Sequence, residues 1–224
     1  MGLMIVTVII PTRIRPKMML KCLGSLWKTT KDYEVETVVI VDNDPQTYEA
    51  LLNQPITKLI YNEEHLGAIP SWNKGLAVAE GDMFHPSNDD VLYRSGWLKH
   101  ALKVHRERLD GYGFIALNSR IHDLDVQSGG MLFDRKFCKD HLGGVMFCPY
   151  YRHLFADKEV DLRAKVAGRF QPCYKAVAFH MHPCERRRPV DANDIWRDKF
   201  WPYDEAIFNV RQNNGFPDDF EAVI

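Results

Sequence analysis

Thr7-Val8-Ile9-Ile10-Pro11-Thr12-Arg13 is the stretch on which the fold turns. Its β-branched run reads as a strand over Ile5–Ile10, stopped by Pro11, which has no N–H to give to a sheet ladder. Pro16 then suits the first turn of a helix, and Met19, Leu20, Leu23, Leu26 and Trp27 recur at helical spacing on its buried face. The alternation continues outward. Thr37–Val41 reads as a second strand, Asp44-Pro45 as an N-cap with proline at N1 of a short helix over Tyr48, Leu51 and Leu52, and Leu59–Tyr61 as a third strand. Pro70-Ser71 opens a helix through Trp72, Leu76 and Ala79, with Gly81 expected to end it at positive φ. A short fourth strand lies around Met83 and Phe84, and a helix over Ser95–Leu109 turns Leu98, Leu102 and Leu109 toward the sheet. Strands alternating with helices build a mainly parallel sheet flanked by helices, so the expected class is α/β.

The second half is less regular. Strands are expected at Phe114–Leu117, Gly130–Phe133 and Tyr174–Phe179, and a helix over Asp157–Ala167 is closed by Gly168. The tail from Asp191 to Gln212 reads as helical segments interrupted at Pro202. The expected organisation is one α/β domain over residues 1–183, with a helical extension over 184–224 packing on it.

At 224 residues, with 46% hydrophobic and 26% charged, the chain holds enough apolar material for one sizeable core. Its longest apolar runs, Val38–Val41 among them, fall far short of the roughly 20 residues needed to cross a bilayer. Met1–Pro11 lacks a signal-peptide cleavage pattern, so a cytoplasmic location is expected. Cys22, Cys138, Cys148, Cys173 and Cys184 are odd in number and never spaced as C-x-x-C, which speaks for reduced, packing thiols. A net charge of −1 offers no global field for nucleic acid or an anionic membrane, so any basic surface is local, as at Arg186-Arg187-Arg188.

Open α/β sheets bind ligands beyond the carboxyl ends of their strands. Three polar clusters fall there: Thr12-Arg13, Asp42-Asn43-Asp44 and Asn88-Asp89-Asp90. The last suits a hard divalent cation that keeps some waters and binds substrate phosphates, or else is a polar turn into a helix.

These clusters, together with Leu66-Gly67-Ala68-Ile69-Pro70-Ser71-Trp72-Asn73-Lys74-Gly75, give the segment from Thr7 to Trp97 a pattern that resembles the inverting family-two glycosyltransferases of the GT-A fold. The resemblance implies a GT-A, Rossmann-like sheet and transfer of a sugar from a nucleotide-sugar to a hydroxyl. By it, Pro11, Thr12, Arg13, Asp42 and Asn43 would hold the nucleoside, with the Asp42 carboxylate accepting from a ring N–H, as uracil offers. Gly67 would form the tight turn before the helix and Asn73 would face the nucleotide-sugar. The family's Asp-x-Asp is here Asn88-Asp89-Asp90, which makes Asp90 the expected metal ligand and Asn88 or Asp89 the ribose or sugar contact. His180 and His182 are the candidates from the C-terminal half, and the resemblance makes one of them the last ligand of a Mn²⁺ or Mg²⁺ site, the other packing or neither binding.

An inverting transfer needs a carboxylate that takes the acceptor proton. Asp157, Glu159 and Asp161 are the candidates, and the acidic start of the helix favours Asp157, then Glu159. Arg186, Arg187 and Arg188 would close over the diphosphate, form a solvated loop or contact a polyanion. The expected acceptor is a glycan, and the alternative is a hydroxymethylated pyrimidine in DNA. A sugar nucleotidyltransferase would need a glycine-rich loop that is absent after the first strand, whereas a non-catalytic nucleotide- or sugar-binding module stays open.

Overall fold

In the computed structural model, which describes residues 4–121 and 130–218, the opening apolar run becomes the middle of the sheet's parallel half. Strand β1 (Val6–Thr12) leads into helix α1 (Pro16–Thr30), β2 (Val35–Asp42), α2 (Pro45–Leu51), β3 (Lys58–Asn62), α3 (Ala68–Val78) and β4 (Met83–Pro86). There follow β5 (Val91–Tyr93), α4 (Trp97–Leu109), β6 (Phe114–Asn118), β7 (Met131–Asp134) and α5 (Arg135–His141). The chain ends with α6 (Ala156–Val166), β8 (Phe170–His180), α7 (Ala192–Asp198) and α8 (Trp201–Asn213).

The strand order is β3-β2-β1-β4-β7-β6-β8-β5. The four strands from β3 to β4 run parallel, β7 is antiparallel to both β4 and β6, and β5 is antiparallel to β8. β2 and β4 leave β1 on opposite sides, and this reversal opens a crevice at the carboxyl ends of the strands.

Both faces of the sheet are covered, so β1 and β2 read as unbroken apolar runs rather than alternating ones. Ile9, Val38 and Ile40 face α3 and the Phe114–Phe133–Phe137 stack, while Val8, Ile10, Val39 and Val41 face Met19, Leu23 and Leu26 of α1. Four cysteines are buried within the protein, Cys184 is exposed, and none is paired. No helix among the described residues is long and apolar enough to cross a membrane.

The expected caps form at α1, with Pro16 at N1, and at α2, where Asp44 accepts from Thr47 N. The reading of Gly81 needs correction. Helix α3 ends at Val78 and leaves through an extended Ala79, and Gly81 is not at positive φ. Gly81 is required because its N–H donates to Thr7 Oγ1 at 3.0 Å, where a side chain would strike Thr7. Two short elements escape periodicity altogether, β5 and α5, and β8 begins four residues ahead of the expected Tyr174.

Helix α3 lies on β1 and β2 through Gly75, where an added Cβ would overlap Ile9 Cγ2 and come within 2.9 Å of Ile40 Cδ1. Overpacking of this kind costs about 1–3 kcal/mol. Gly75→Ala is therefore expected to lower the melting temperature by several degrees, measured by circular dichroism, despite alanine's better helix propensity.

Candidate functional site

A cleft of about 630 Å³ opens where the switch point predicts it. Pro11, Thr12 and Arg13 after β1, Asp42 ending β2 and Pro86 ending β4 form its floor. Gly67, Asn88, Asp89 and Asp90 also line it, as do Asp157, His180 and His182.

The acidic loop is held from two directions. Thr12 Oγ1 donates to Asp89 Oδ2 at 2.9 Å, and Arg15 Nη1 lies 3.0 Å from Asp89 Oδ1. Burial, partly offset by Arg15, pushes the Asp89 carboxyl up to about 6. Asp90 is only 1% exposed, and Arg188 Nε donates to its Oδ2 at 2.8 Å. Burial pushes its carboxyl upward, but His180, then Arg15 and Arg188, hold it well below the usual carboxylate range. Asp90 reaches His180 through the sheet: β5 starts immediately after it, Val91 pairs with His180, and Met181 N donates to Asp90 O at 2.8 Å.

Asp90 Oδ1 is buried and makes no hydrogen bond of regular geometry among the described residues, yet His180 Nε2 is 2.9 Å away. Two ligand atoms on one octahedral Mg²⁺-sized cation, each about 2.1 Å from it, sit about 3 Å apart. The pair therefore fits a divalent cation. Among the described residues no group of three or more His, Cys, Asp or Glu could hold a metal ion, so other positions would fall to water and phosphate, as hard octahedral ions prefer. Arg188 leaves Oδ1 untouched. His182, by contrast, has its Nδ1 accepting from Cys184 N and its Nε2 beside Arg197 Nη1 at 2.9 Å. Burial, His180 and Arg197 push its imidazole down to about 4, and it stands beside the candidate metal pair rather than in it.

Asp42 binds the loop that precedes α3. Its Oδ1 accepts from Asn62 Nδ2 and Leu66 N, and its Oδ2 accepts from Gly67 N at 2.8 Å. His65 Nε2 lies 3.4 Å from the same Oδ2, and Asp42 lines the cleft. Gly67 has φ +90°, and Trp196 of α7 lies against it, its ring 4.4 Å from His65 and tilted by 38°. Arg13 Nε and His153 Nδ1 are buried without a hydrogen-bond partner among the described residues, and both residues line the same cleft.

Three expected site residues lie elsewhere. Asn73 spends its amide on the chain: Oδ1 accepts from Met146 N and Phe147 N, and Nδ2 donates to Phe147 O. Asn43 turns the chain at φ 51° and donates to Glu63 O outside the cleft. Glu159 is 2% exposed, accepting from Tyr151 Oη and paired with Arg211 at 2.9 Å and Arg163 at 3.2 Å. It joins α6 to α8, and Asp161 is likewise buried away from the cleft. Of the acidic trio only Asp157 reaches the cleft, in the first turn of α6.

The three arginines separate. Arg188 enters the site, Arg187 donates to the backbone oxygens of His180 and Arg120, and Arg186 forms the left-handed end of the turn Pro183–Glu185.

Residues that the sequence did not single out close the cleft from above. Arg15 pairs with Asp191 at 2.6 Å and Asp194 at 3.2 Å, and Arg188 donates to Asp194 at 2.6 Å. Asp191 and Asp194 form the capping box of α7, and Asn193 donates to Arg13 O at 2.6 Å. The signal available was Asp191-x-x-Asp194 as a capping pattern, but nothing local ties that box to Arg15. Asp204 of α8, fully buried, accepts from the N–H groups of Arg152, His153 and Leu154, fixing the chain that enters α6.

A Rossmann-like half-sheet extended by antiparallel strands, with acidic residues at its switch point, defines the GT-A class of nucleotide-sugar-binding folds. Residues 7–136 match the family model described as Glycosyl transferase family 2, and the chain belongs to that family. Among solved structures, the mannosyltransferase PcManGT from Pyrobaculum calidifontis, in complex with GDP-Man and Mn²⁺, has a TM-score of 0.68 at 19% identity. The match covers 92% of this chain and 64% of that one. Residues 1–349 of S. aureus TarS in complex with UDP-GlcNAc give a TM-score of 0.63 at 21% identity, covering 85% of this chain and 60% of that one. The chain thus spans less than two thirds of each of these structures. A search of curated protein sequences returns no match.

Beneath the acidic loop, fully buried His85 of β4 contacts Met131 O through Nδ1 at 2.6 Å and Tyr93 Oη through Nε2 at 2.9 Å. Burial, only partly offset by the Met131 carbonyl, lowers its imidazole from 6.5 to about 4. The unfolded chain therefore binds a proton below about pH 6.5 that the folded chain refuses, and stability falls by up to about 1.4 kcal/mol per pH unit between those values. His85→Asn, whose amide can still donate to Met131 O, should flatten the fall in melting temperature between pH 6.5 and 4.5 by up to one proton's worth.

Proposed function

We propose that the protein is a metal-assisted glycosyltransferase that passes a sugar from a UDP-sugar to a glycan hydroxyl with inversion at the anomeric carbon. The observation that carries this reading is the placement of Asp90 and His180 in one cleft with Asp157, joined by the β5–β8 pairing. The solved structures similar in fold, named as binding GDP-Man with Mn²⁺ and UDP-GlcNAc, support nucleotide-sugar as donor class and a divalent cation as cofactor.

Pro11, Thr12 and Arg13 line the cleft on the nucleoside side, and the Asp42 carboxylate beside them is the acceptor for the ring N–H of uracil, His65 giving way at Oδ2. Arg13 Nε, buried with no hydrogen-bond partner among the described residues, is a donor for a phosphate or ribose oxygen. Asn88 takes the ribose or sugar, since Asp89 is already committed to Thr12 and Arg15. Asp90 and His180 hold Mn²⁺ or Mg²⁺, which when bound supplies positive charge to the leaving diphosphate.

Asp157 takes the proton of the acceptor hydroxyl as its oxygen bonds to the anomeric carbon. The bond from that carbon to the diphosphate oxygen breaks at the same time, its electron pair leaving with the nucleoside diphosphate. Asp157 sits in the first turn of α6, where Lys158 N donates to its Oδ1 at 2.8 Å. The rim beside α6 and α8 carries Asp157 and Glu205, while Asp198 is paired with Arg197 and Lys158 folds over Phe208. Such a rim repels a phosphodiester backbone, which favours a glycan over hydroxymethylated DNA as acceptor.

Two experiments test the scheme. UDP-sugar with Mn²⁺ should raise the melting temperature and release UDP, and both EDTA and Asp90→Ala should abolish the release. A donor response unchanged by either would refute the metal assignment. Asp157→Asn should lower transfer about 10²–10⁴-fold with UDP affinity within about twofold of wild type, whereas Glu159→Gln should act through stability, lowering the melting temperature. Equal transfer by Asp157→Asn would move the base elsewhere.

A further inference from the structure

The cleft extends past Asp157 to the start of α8, where Trp201 and Glu205 line it. They are one turn apart on the same helix, so their side chains share a face. Trp201 remains 51% exposed although a large indole at a helix start would ordinarily be turned inward. Its orientation is fixed from below by Phe155, whose ring meets it edge-on at 5.1 Å and 71°. Phe155 is itself held at φ 65°, a left-handed conformation costly for a bulky residue, immediately before the helix that carries Asp157. The backbone on its other side is pinned by the three N–H groups given to Asp204. Strain maintained by surrounding bonds at the edge of a cleft marks a segment whose geometry is used.

An open indole with a carboxylate one turn away matches one chemistry well. The axial C–H faces of a pyranose stack on aromatic rings, and its equatorial hydroxyls donate to a carboxylate oxygen. Arg197 there is paired with Asp198 at 2.8 Å and Lys158 lies over the Phe208 ring, which leaves Glu205 to disfavour a phosphate-bearing or otherwise anionic residue. We propose that Trp201 and Glu205 form the acceptor subsite, stacking and hydrogen-bonding an uncharged pyranose so that its neighbouring hydroxyl is presented to Asp157. This rests on the glycosyltransferase reading above and adds to it the acceptor's chemical class and the residues that select it.

The test uses the full chain with UDP and Mn²⁺ present and a panel of neutral saccharides: mannobiose, chitobiose, cellobiose and maltotriose. Saccharide binding is followed by saturation-transfer NMR, and UDP affinity by calorimetry on the same samples. At least one saccharide should bind the wild type, and Trp201→Ala should weaken it about tenfold or more while UDP affinity changes less than about twofold. Trp201→Phe, which keeps a stacking ring and the contact with Phe155, should restore most of the affinity, and Glu205→Gln should fall between. Equal binding by Trp201→Ala overturns the subsite, as does binding of a hydroxymethylated DNA duplex in place of every saccharide. UDP binding with no saccharide bound also overturns the subsite but leaves the donor site standing. Failure of the wild type to bind UDP removes the glycosyltransferase reading itself.

Discussion

Pairing of β5 with β8 is the constraint on which the site depends. β5 has only three residues, yet its antiparallel register sets Val91 opposite His180 and draws Asp90 against the last strand of the sheet. Without it the acidic loop would end a parallel half-sheet and face water. With it, a carboxylate from the N-terminal half and an imidazole from the C-terminal half sit 2.9 Å apart in a buried place. Backbone hydrogen bonds, insensitive to side-chain identity, thus deliver the two side chains to which the proposal assigns the metal.

The charges follow from that placement. Two adjacent buried aspartates would be unstable alone, since desolvation and mutual repulsion both favour protonation. Arg15 and Arg188 resolve the conflict unequally: Asp89 is left with a raised carboxyl, and Asp90 stays ionised beside His180. The same guanidiniums reach Asp191 and Asp194 in the cap of α7, so one network neutralises the acidic loop and fastens a helix over it. Breaking a buried pair of this kind costs far more than its net contribution when intact, because the surviving charge is left without a partner. The roof of the cleft is therefore tied to the ionisation of its floor.

Much of the parallel half was legible because its signals are local. Pro16, Asp44-Pro45 and the apolar runs of β1 and β2 fix caps and burial within a few residues of themselves. The switch-point rule then placed Thr12, Asp42 and Asp90 at the cleft without any knowledge of packing. The rest depends on contacts between distant residues. Arg15 stands alone before a proline, and its four carboxylate partners lie 74 to 179 positions away in the chain, beyond any periodicity. Asn73 and Glu159 failed for a related reason: a polar residue at a helix position can serve a ligand or a neighbouring chain segment. Only the fold shows that Met146, Phe147, Tyr151 and Arg211 had claimed them.

The segment after residue 183 has more than a covering role. Arg188 completes the Asp90 environment, Trp196 closes on Gly67, Asp204 fixes the entry to α6, and Arg211 anchors Glu159 within it. Asp157 thus faces the cleft because α8 holds both ends of its helix's first turns, one through Asp204 and the other through Arg211. The proposed role of Asp157 as base needs it close to one acceptor oxygen, and a loop entering at a left-handed Phe155 would not hold it in one place unaided. The irregular half of the molecule, least readable from its sequence, supplies the bonds that fix the Asp157 side of the cleft.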